Sequence, residues 1–191
     1  VATASRDGRV IVWDPEKGEP LQEIEAHEGG AWDVVFSPDG RRLASVGDDE
    51  VVRIWDARTG EAIDVFRDER GHSGVVYSAT FDPDGELLAS ADGTTVVWDA
   101  ANGEIVHRFA DHDGHVLSAA FSRDEERELL ATASDDTSVL LYDPSSGDLV
   151  AALYEGLPGE VFRVPIAVAE MTKYADNAFH GLKIAFANEL G

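Results

Sequence analysis

Residues 71–99 read GHSGVVYSATFDPDGELLASADGTTVVWD. The stretch opens on Gly71-His72, runs to Phe81, turns at Asp82-Pro83-Asp84-Gly85 and closes on Trp98-Asp99. Working outward from it, the same anchors return at near-constant spacing. His27, His72 and His112 are each followed nine residues later by a phenylalanine, Phe36, Phe81 and Phe121. Ser37-Pro38-Asp39-Gly40 matches Asp82-Pro83-Asp84-Gly85; proline second and glycine fourth is the chemistry of a tight turn between strands. Aromatic–aspartate pairs stand at Trp13-Asp14, Trp55-Asp56, Trp98-Asp99 and Tyr142-Asp143, so the aromatic recurs every 42 to 44 residues. A period of that length means a propeller or a solenoid, whose units bury their faces on one another.

Between the anchors lie short runs that suit strands, at 31–36, 42–46, 51–55 and 61–66, which makes four strands per unit. Gly-His near the start and Trp-Asp at the end of a four-stranded unit of about forty residues resemble the WD-repeat family of β-propellers, over about residues 1–153. The fold class expected is therefore mainly β. It is a partial propeller of about four blades in an open arc, the first lacking its outset, followed by one long C-terminal helix.

That resemblance implies a hydrogen-bonded tetrad in each unit, built from a histidine, a Ser or Thr, an Asp and the Trp, because buried donors must be paired. The matching residues are His27, Ser45, Asp49 and Trp55; His72, Ser90, Asp92 and Trp98; and His112, Thr132 and Asp136, with Tyr142 in the tryptophan position. The first unit keeps Thr3, Asp7 and Trp13. Ser90 and Asp92 are two residues apart where the other units have four, so a shortened turn is expected there. These side chains read as scaffold. A hydrolase would need one distinguished set and a Gly-x-Ser-x-Gly elbow, whereas here the same residue types recur in every unit.

The chain of 191 residues is 43% hydrophobic, enough for one or two cored domains. It has no cysteine, which excludes disulfides, thiolate metal sites and cysteine nucleophiles. With 38 acids against 15 Lys and Arg, the net charge of −23 disfavours nucleic acid and anionic membrane as partners. Residues 155–191 hold only five acids and three bases, so the acidity belongs to the repeats. Much of it sits in turns such as Gly47-Asp48-Asp49-Glu50, as a solvated rim or as a surface for a basic partner. Asp111-His112-Asp113-Gly114-His115 has the residue types of a divalent transition-metal site. The tetrad, however, claims His112, and the expectation is no metal. Val1 falls inside a repeat, so the start reads as internal to a longer chain, and a cytoplasmic location is expected.

After Leu153 the pattern stops. Residues 154–165, with Gly156, Pro158 and Gly159, read as a linker, and 166–191 as a helix. Pro165 suits a helix start, and Met171, Ala175, Ala178, Leu182 and Ala185 recur at steps of four and three. The run 169–189 resembles the long central helix of nucleotide-sugar 6-dehydrogenases that act on GDP-mannose or UDP-glucose, over about residues 151–191. The resemblance implies substrate-side roles for Lys173, Asn177 and His180, which a helix would carry on one face. NAD would be the cofactor of a complete enzyme of that kind. This chain has neither a Gly-x-Gly-x-x-Gly turn nor a cysteine for the covalent intermediate, so no cofactor and no catalysis are expected. A join near residues 146–153 would make the chain a chimera. The expected function is a non-catalytic scaffold that binds a protein or peptide. The alternatives are a truncated dehydrogenase fused to the repeats, or assembly through the helix or the open propeller edges.

Overall fold

The computed structural model describes residues 1–67, 71–122 and 128–153. The linker at 154–165 and the helix at 166–191, with Lys173, Asn177 and His180, lie outside the described residues. Within them the chain is a succession of four antiparallel sheets, none closed on itself. The first has three strands, β1 (Ala2–Ala4), β2 (Arg9–Trp13) and β3 (Pro20–Glu25). The second has four, β4 (Ala31–Phe36), β5 (Arg42–Gly47), β6 (Val52–Asp56) and β7 (Ala62–Phe66). The third runs β8 (Ser78–Phe81), β9 (Leu87–Ala91), β10 (Thr95–Asp99) and β11 (Ile105–Phe109). The fourth runs β12 (Val116–Phe121), β13 (Leu130–Ser134), β14 (Val139–Tyr142) and β15 (Leu149–Leu153). Strands pair in chain order within each sheet. No helix among the described residues is long and apolar enough to cross a membrane.

The turns account for the order. Gly40, at φ +71°, donates its amide to the Ser37 carbonyl at 2.8 Å, and Gly85, at φ +74°, repeats the bond to Asp82 at 3.2 Å. The aspartate of each aromatic–aspartate pair is a turn cap: Asp56 Oδ1 accepts the amides of Arg58 and Thr59, and Asp143 Oδ1 those of Ser145 and Ser146. Such side-chain caps replace the backbone partners that the strand loses at its end.

Successive residues of a strand point to opposite faces, so a sheet packed on both sides must be apolar at neighbouring positions. Leu43 and Trp55 face the first sheet, with Val10, Val12 and Ile24. Their neighbours Ala44 and Ile54 face the third, with Phe66, Leu88 and Trp98. Ala89 and Val97 face the fourth, with Phe109, Leu130 and Tyr142. Each aromatic thus inserts into the preceding sheet. The innermost strands β4, β8 and β12 lie beside one another, with β1 beside β4.

Polar bonds repeat along that inner seam. Ala31, Val76 and Val116 donate their amides to the carbonyls of Ser5, Gly47 and Asp92 in the sheet before, at 2.9, 3.0 and 2.6 Å. Asp33 Oδ2 accepts the amide of Ala79 at 3.0 Å, and Ser78 Oγ that of Ala119 at 3.4 Å. Burial pushes the Asp33 carboxyl above the ordinary carboxylate range, against the amides of Ala79 and Val34 that bind it.

Candidate functional site

The structure brings His27, Ser45, Asp49 and Trp55 into one chain of hydrogen bonds. The Trp55 indole N–H donates to Ser45 Oγ at 2.8 Å, Ser45 Oγ lies 2.8 Å from His27 Nε2, and His27 Nδ1 lies 2.7 Å from Asp49 Oδ1. The carboxylate decides the tautomer. Ionised Asp49 can only accept, so Nδ1 carries the ring proton, and in the neutral ring Nε2 accepts from the Ser45 hydroxyl, which itself accepts from the indole. The imidazole is then satisfied while neutral. Its side chain is fully buried, and burial holds its pKa below the ordinary histidine value despite Asp49. For Asp49, burial works upward but is outweighed by the bonds from His27 and Arg53, and the carboxyl titrates low.

The third sheet assembles His72, Ser90, Asp92 and Trp98 across its shortened turn. Trp98 Nε1–H donates to Ser90 Oγ at 2.7 Å, and Ser90 Oγ lies 2.6 Å from His72 Nε2. His72 Nδ1 is 3.0 Å from Asp92 Oδ1 but misaligned for a hydrogen bond, which is where the two missing residues tell. The contact is close enough that burial, which works upward on Asp92, is outweighed by His72 and by the Thr94 bonds, bringing the carboxyl down to about 2.

The fourth sheet departs from the expected pattern. His112 Nε2 meets Thr132 Oγ1 at 2.8 Å and Nδ1 meets Asp136 Oδ2 at 2.9 Å. Tyr142 holds the register position of Trp55 and Trp98, opposite Leu130. Its hydroxyl, however, donates to Asp111 Oδ2 at 3.3 Å. A phenol carries its donor at the ring's far end, whereas an indole carries it on the side. Tyr142 also stacks on Phe109 at 4.0 Å between centroids, and burial, with Asp111 beside it, raises its pKa. In the first sheet Trp13 Nε1–H donates to Thr3 Oγ1 at 2.8 Å, while Asp7 pairs with Arg9.

Asp111-His112-Asp113-Gly114-His115 does not converge. Asp111 accepts the Tyr142 hydroxyl, His112 is held by Thr132 and Asp136, and His115 lies just before β12 with its ring edge-on to Tyr77 at 5.8 Å. Among the described residues no three His, Asp or Glu side chains gather to hold a metal.

A second feature has no counterpart among the sequence anchors. Trp32 sits at a bulge between Ala31 and Asp33, 39% exposed, and meets Tyr77 of the third sheet edge-on at 5.8 Å. With Tyr77–His115 they form an aromatic row crossing three sheets, and Arg6 of the first sheet places its guanidinium 5.3 Å from the Trp32 ring. Asp48 fixes the tryptophan: Oδ1 accepts its indole N–H at 2.7 Å and Oδ2 the Gly30 amide at 2.6 Å. These two bonds hold the Asp48 carboxyl below its ordinary range. Asp135 likewise accepts the His115 amide at 2.7 Å. Trp32 and Tyr77 each fall five residues after the unit's histidine, a position held by Leu117 in the fourth unit. That offset is the only signal sequence reading had. At the other end of the inner strands a cleft of about 610 Å³ is lined by Val35, Phe36, Pro38, Phe81, Pro83 and Phe121, among others.

The family model for the WD domain, G-beta repeat, matches residues 18–56, 63–99 and 103–143. WD repeat and SOCS box-containing protein 1 of Homo sapiens is 34% identical over 99 residues, 51% of this chain and 23% of that protein. Nuclear distribution protein PAC1 of Coccidioides posadasii (strain C735) is 42% identical over 83 residues, 44% of this chain and 17% of that protein. A GDP-mannose 6-dehydrogenase of Pseudomonas putida is 53% identical over 49 residues, 26% of this chain and 11% of the enzyme. The chain thus spans less than a quarter of the length of each of these relatives. Its three matched repeats, each running from the last strand of one sheet through the first three strands of the next, make it a member of the WD-repeat family.

Proposed function

We propose that this chain is a non-catalytic protein-interaction scaffold whose partner docks along the Trp32–Tyr77–His115 row. The observation that carries the reading is the contrast in how polar and aromatic groups are used. His27, His72 and His112 spend both ring nitrogens, or nearly so, on neighbours inside their own sheets. They hold strands and turns together, with none left facing solvent as an acid, base or nucleophile. Trp32, by contrast, is held firmly yet leaves two fifths of its surface open. A rigid exposed aromatic with a charged neighbour is the usual anchor of a protein interface.

The partner that fits is basic, since Asp48, Asp49, Asp135 and Asp136 all border the row's turns and the chain carries −23. No cofactor is required, and a cytoplasmic location suits a cysteine-free chain. Short identity to GDP-mannose 6-dehydrogenase supports kinship of part of the chain, which we assign to about 151–191 with 154–165 as linker and 166–191 as helix, but not activity. Oxidation would need a nucleotide-binding turn and a cysteine that the sequence lacks.

The test is recovery of binding proteins on the immobilised chain beside a Trp32→Ala/Tyr77→Ala double variant of unchanged circular dichroism. Partners retained by the first and lost by the second are expected. Identical recovery on both would remove the row as the docking surface, and turnover of GDP-mannose with NAD would remove the non-catalytic reading.

A further inference from the structure

We propose that Trp32, with Asp48 beside it, is a seat for an arginine side chain of the partner, and that Arg6 of this chain fills the seat when no partner is bound. The inference rests on the protein-binding reading above and names the chemistry of the ligand and a competitor built into the fold.

The seat is built before anything enters it. Trp32 cannot swing freely, because its indole N–H is tied to Asp48 and its ring edge is set against Tyr77. Asp48 is tied in turn to the Gly30 amide, whose position at the head of β4 is fixed by the bond from Ala31 to Ser5. Fixing the receptor in advance removes part of the ordering cost of association. Among the described residues each Asp48 oxygen accepts one hydrogen bond, and a carboxylate has about four acceptor directions, so roughly two remain. An aromatic face beside a carboxylate with free acceptor sites suits a planar cation that stacks and donates at once. Guanidinium does both; an ammonium is a compact charge that stays better hydrated.

Arg6 shows that the ring face of the seat takes this group. It belongs to the turn between β1 and β2, is exposed, and places its guanidinium carbon 5.3 Å from the Trp32 ring, where its charge also reaches Asp48. Among the described residues no carboxylate lies within ion-pair distance of it, unlike Arg9, which is bound to Asp7 at 2.6 Å, or Arg53, which is bound to Asp49. A stacked but unbridged guanidinium is the easier one to displace. It lowers the apparent affinity for a partner by the fraction of time it covers the ring.

The experiment uses the full chain and three blocked peptides, Gly-Arg-Gly-Arg-Gly and its lysine and citrulline counterparts. Affinity is read by calorimetry and contact by the indole N–H resonance of Trp32, assigned through Trp32→Phe. The arginine peptide should bind, move that resonance, and outcompete lysine and citrulline. Arg6→Ala should tighten binding about three- to tenfold, whereas Trp32→Ala should weaken it about tenfold. Asp48→Asn, which keeps the size of the side chain, should weaken binding and serves if Trp32→Ala unfolds. Equal binding of lysine and arginine with no shift at Trp32 would reduce the effect to general surface charge and overturn the seat. Weaker binding by Arg6→Ala would make Arg6 part of the receptor and overturn its role as competitor. If the arginine peptide does not bind Arg6→Ala, while partner capture still depends on Trp32 and Tyr77, the seat fails and the docking surface stands. If capture ignores both aromatics, the underlying reading fails.

Discussion

The second and fourth sheets share a frame and differ in one aromatic. In the second, Trp55 closes a continuous run from indole through Ser45 and His27 to Asp49. In the fourth, His112, Thr132 and Asp136 make the same bonds without an indole, and Tyr142 turns its donor outward to Asp111. The histidine core of the network therefore does not depend on the aromatic. What the tryptophan adds is a donor aimed sideways into the sheet, which commits the serine proton and orients the imidazole. What the tyrosine adds is a bond to the loop preceding its sheet and a stack on Phe109.

The sharpest way to break this comparison is Trp55→Ala. The side chain is 6% exposed, and removing it leaves a cavity and takes one of its two partners from Ser45, so a loss of about 3 to 5 kcal/mol is expected in urea unfolding. A loss below about 1 kcal/mol would mean that the aromatic is peripheral.

Ser45→Ala strands both the indole N–H and His27 Nε2, whereas Thr132→Ala strands His112 Nε2 without freeing an aromatic donor. Costs of about 2 to 3 kcal/mol and about 1 kcal/mol follow. Equal costs would show that the Tyr142 hydroxyl, which Thr132 also reaches, leans on it as heavily as the Trp55 indole leans on Ser45.

The carboxylates give the comparison a pH axis. Asp92 titrates at about 2, against an ordinary 3.8, and Asp136 likewise at about 2. A depressed folded pKa stabilises above the unfolded value and is lost as pH falls through the folded one. Stability should therefore fall between about pH 4 and pH 2, by roughly 2 kcal/mol for the well-buried Asp92. His27, also depressed but a base, adds a shallower loss starting as pH drops below about 6.5. Asp92→Asn should lower the plateau and flatten the acid limb; an unchanged limb would place the acid sensitivity elsewhere.

Tyr142→Phe removes a 3.3 Å bond and keeps the stack, for a cost of about 0.5 to 1.5 kcal/mol. His115→Ala, an exposed ring whose main role is an edge contact with Tyr77, should cost under about 1 kcal/mol. Should His115 prove as costly as Trp55, the division between inward network and outward row would be misdrawn.

Most of the second and third sheets was legible in advance. The strands read at 31–36, 42–46, 51–55 and 61–66 fall within a residue of β4 to β7 at each end. The fourth sheet was legible to the same depth, with Tyr142 in the tryptophan slot, but the bond of its hydroxyl to Asp111 was not. Position along a strand fixes which residue lies opposite, but the reach of a side chain beyond its slot depends on what the next loop brings near. Trp32, Tyr77 and Arg6 were not legible as a group, since an aromatic at the head of a strand reads equally as core.

The division follows from the range of the forces. Within one sheet the partners of a residue are set by alternation, turn chemistry and hydrogen-bonded register, all written in a stretch of about forty residues. By themselves these determined the four-sheet order, the turns at Gly40 and Gly85, and the meeting of each histidine with its serine or threonine. Between sheets nothing local fixes register. Distance and tilt come from how apolar faces such as those around Trp55 and Trp98 close on one another. Only that packing set Tyr77 against Trp32, Arg6 above it, and the amide of Ala79 on the buried carboxylate of Asp33.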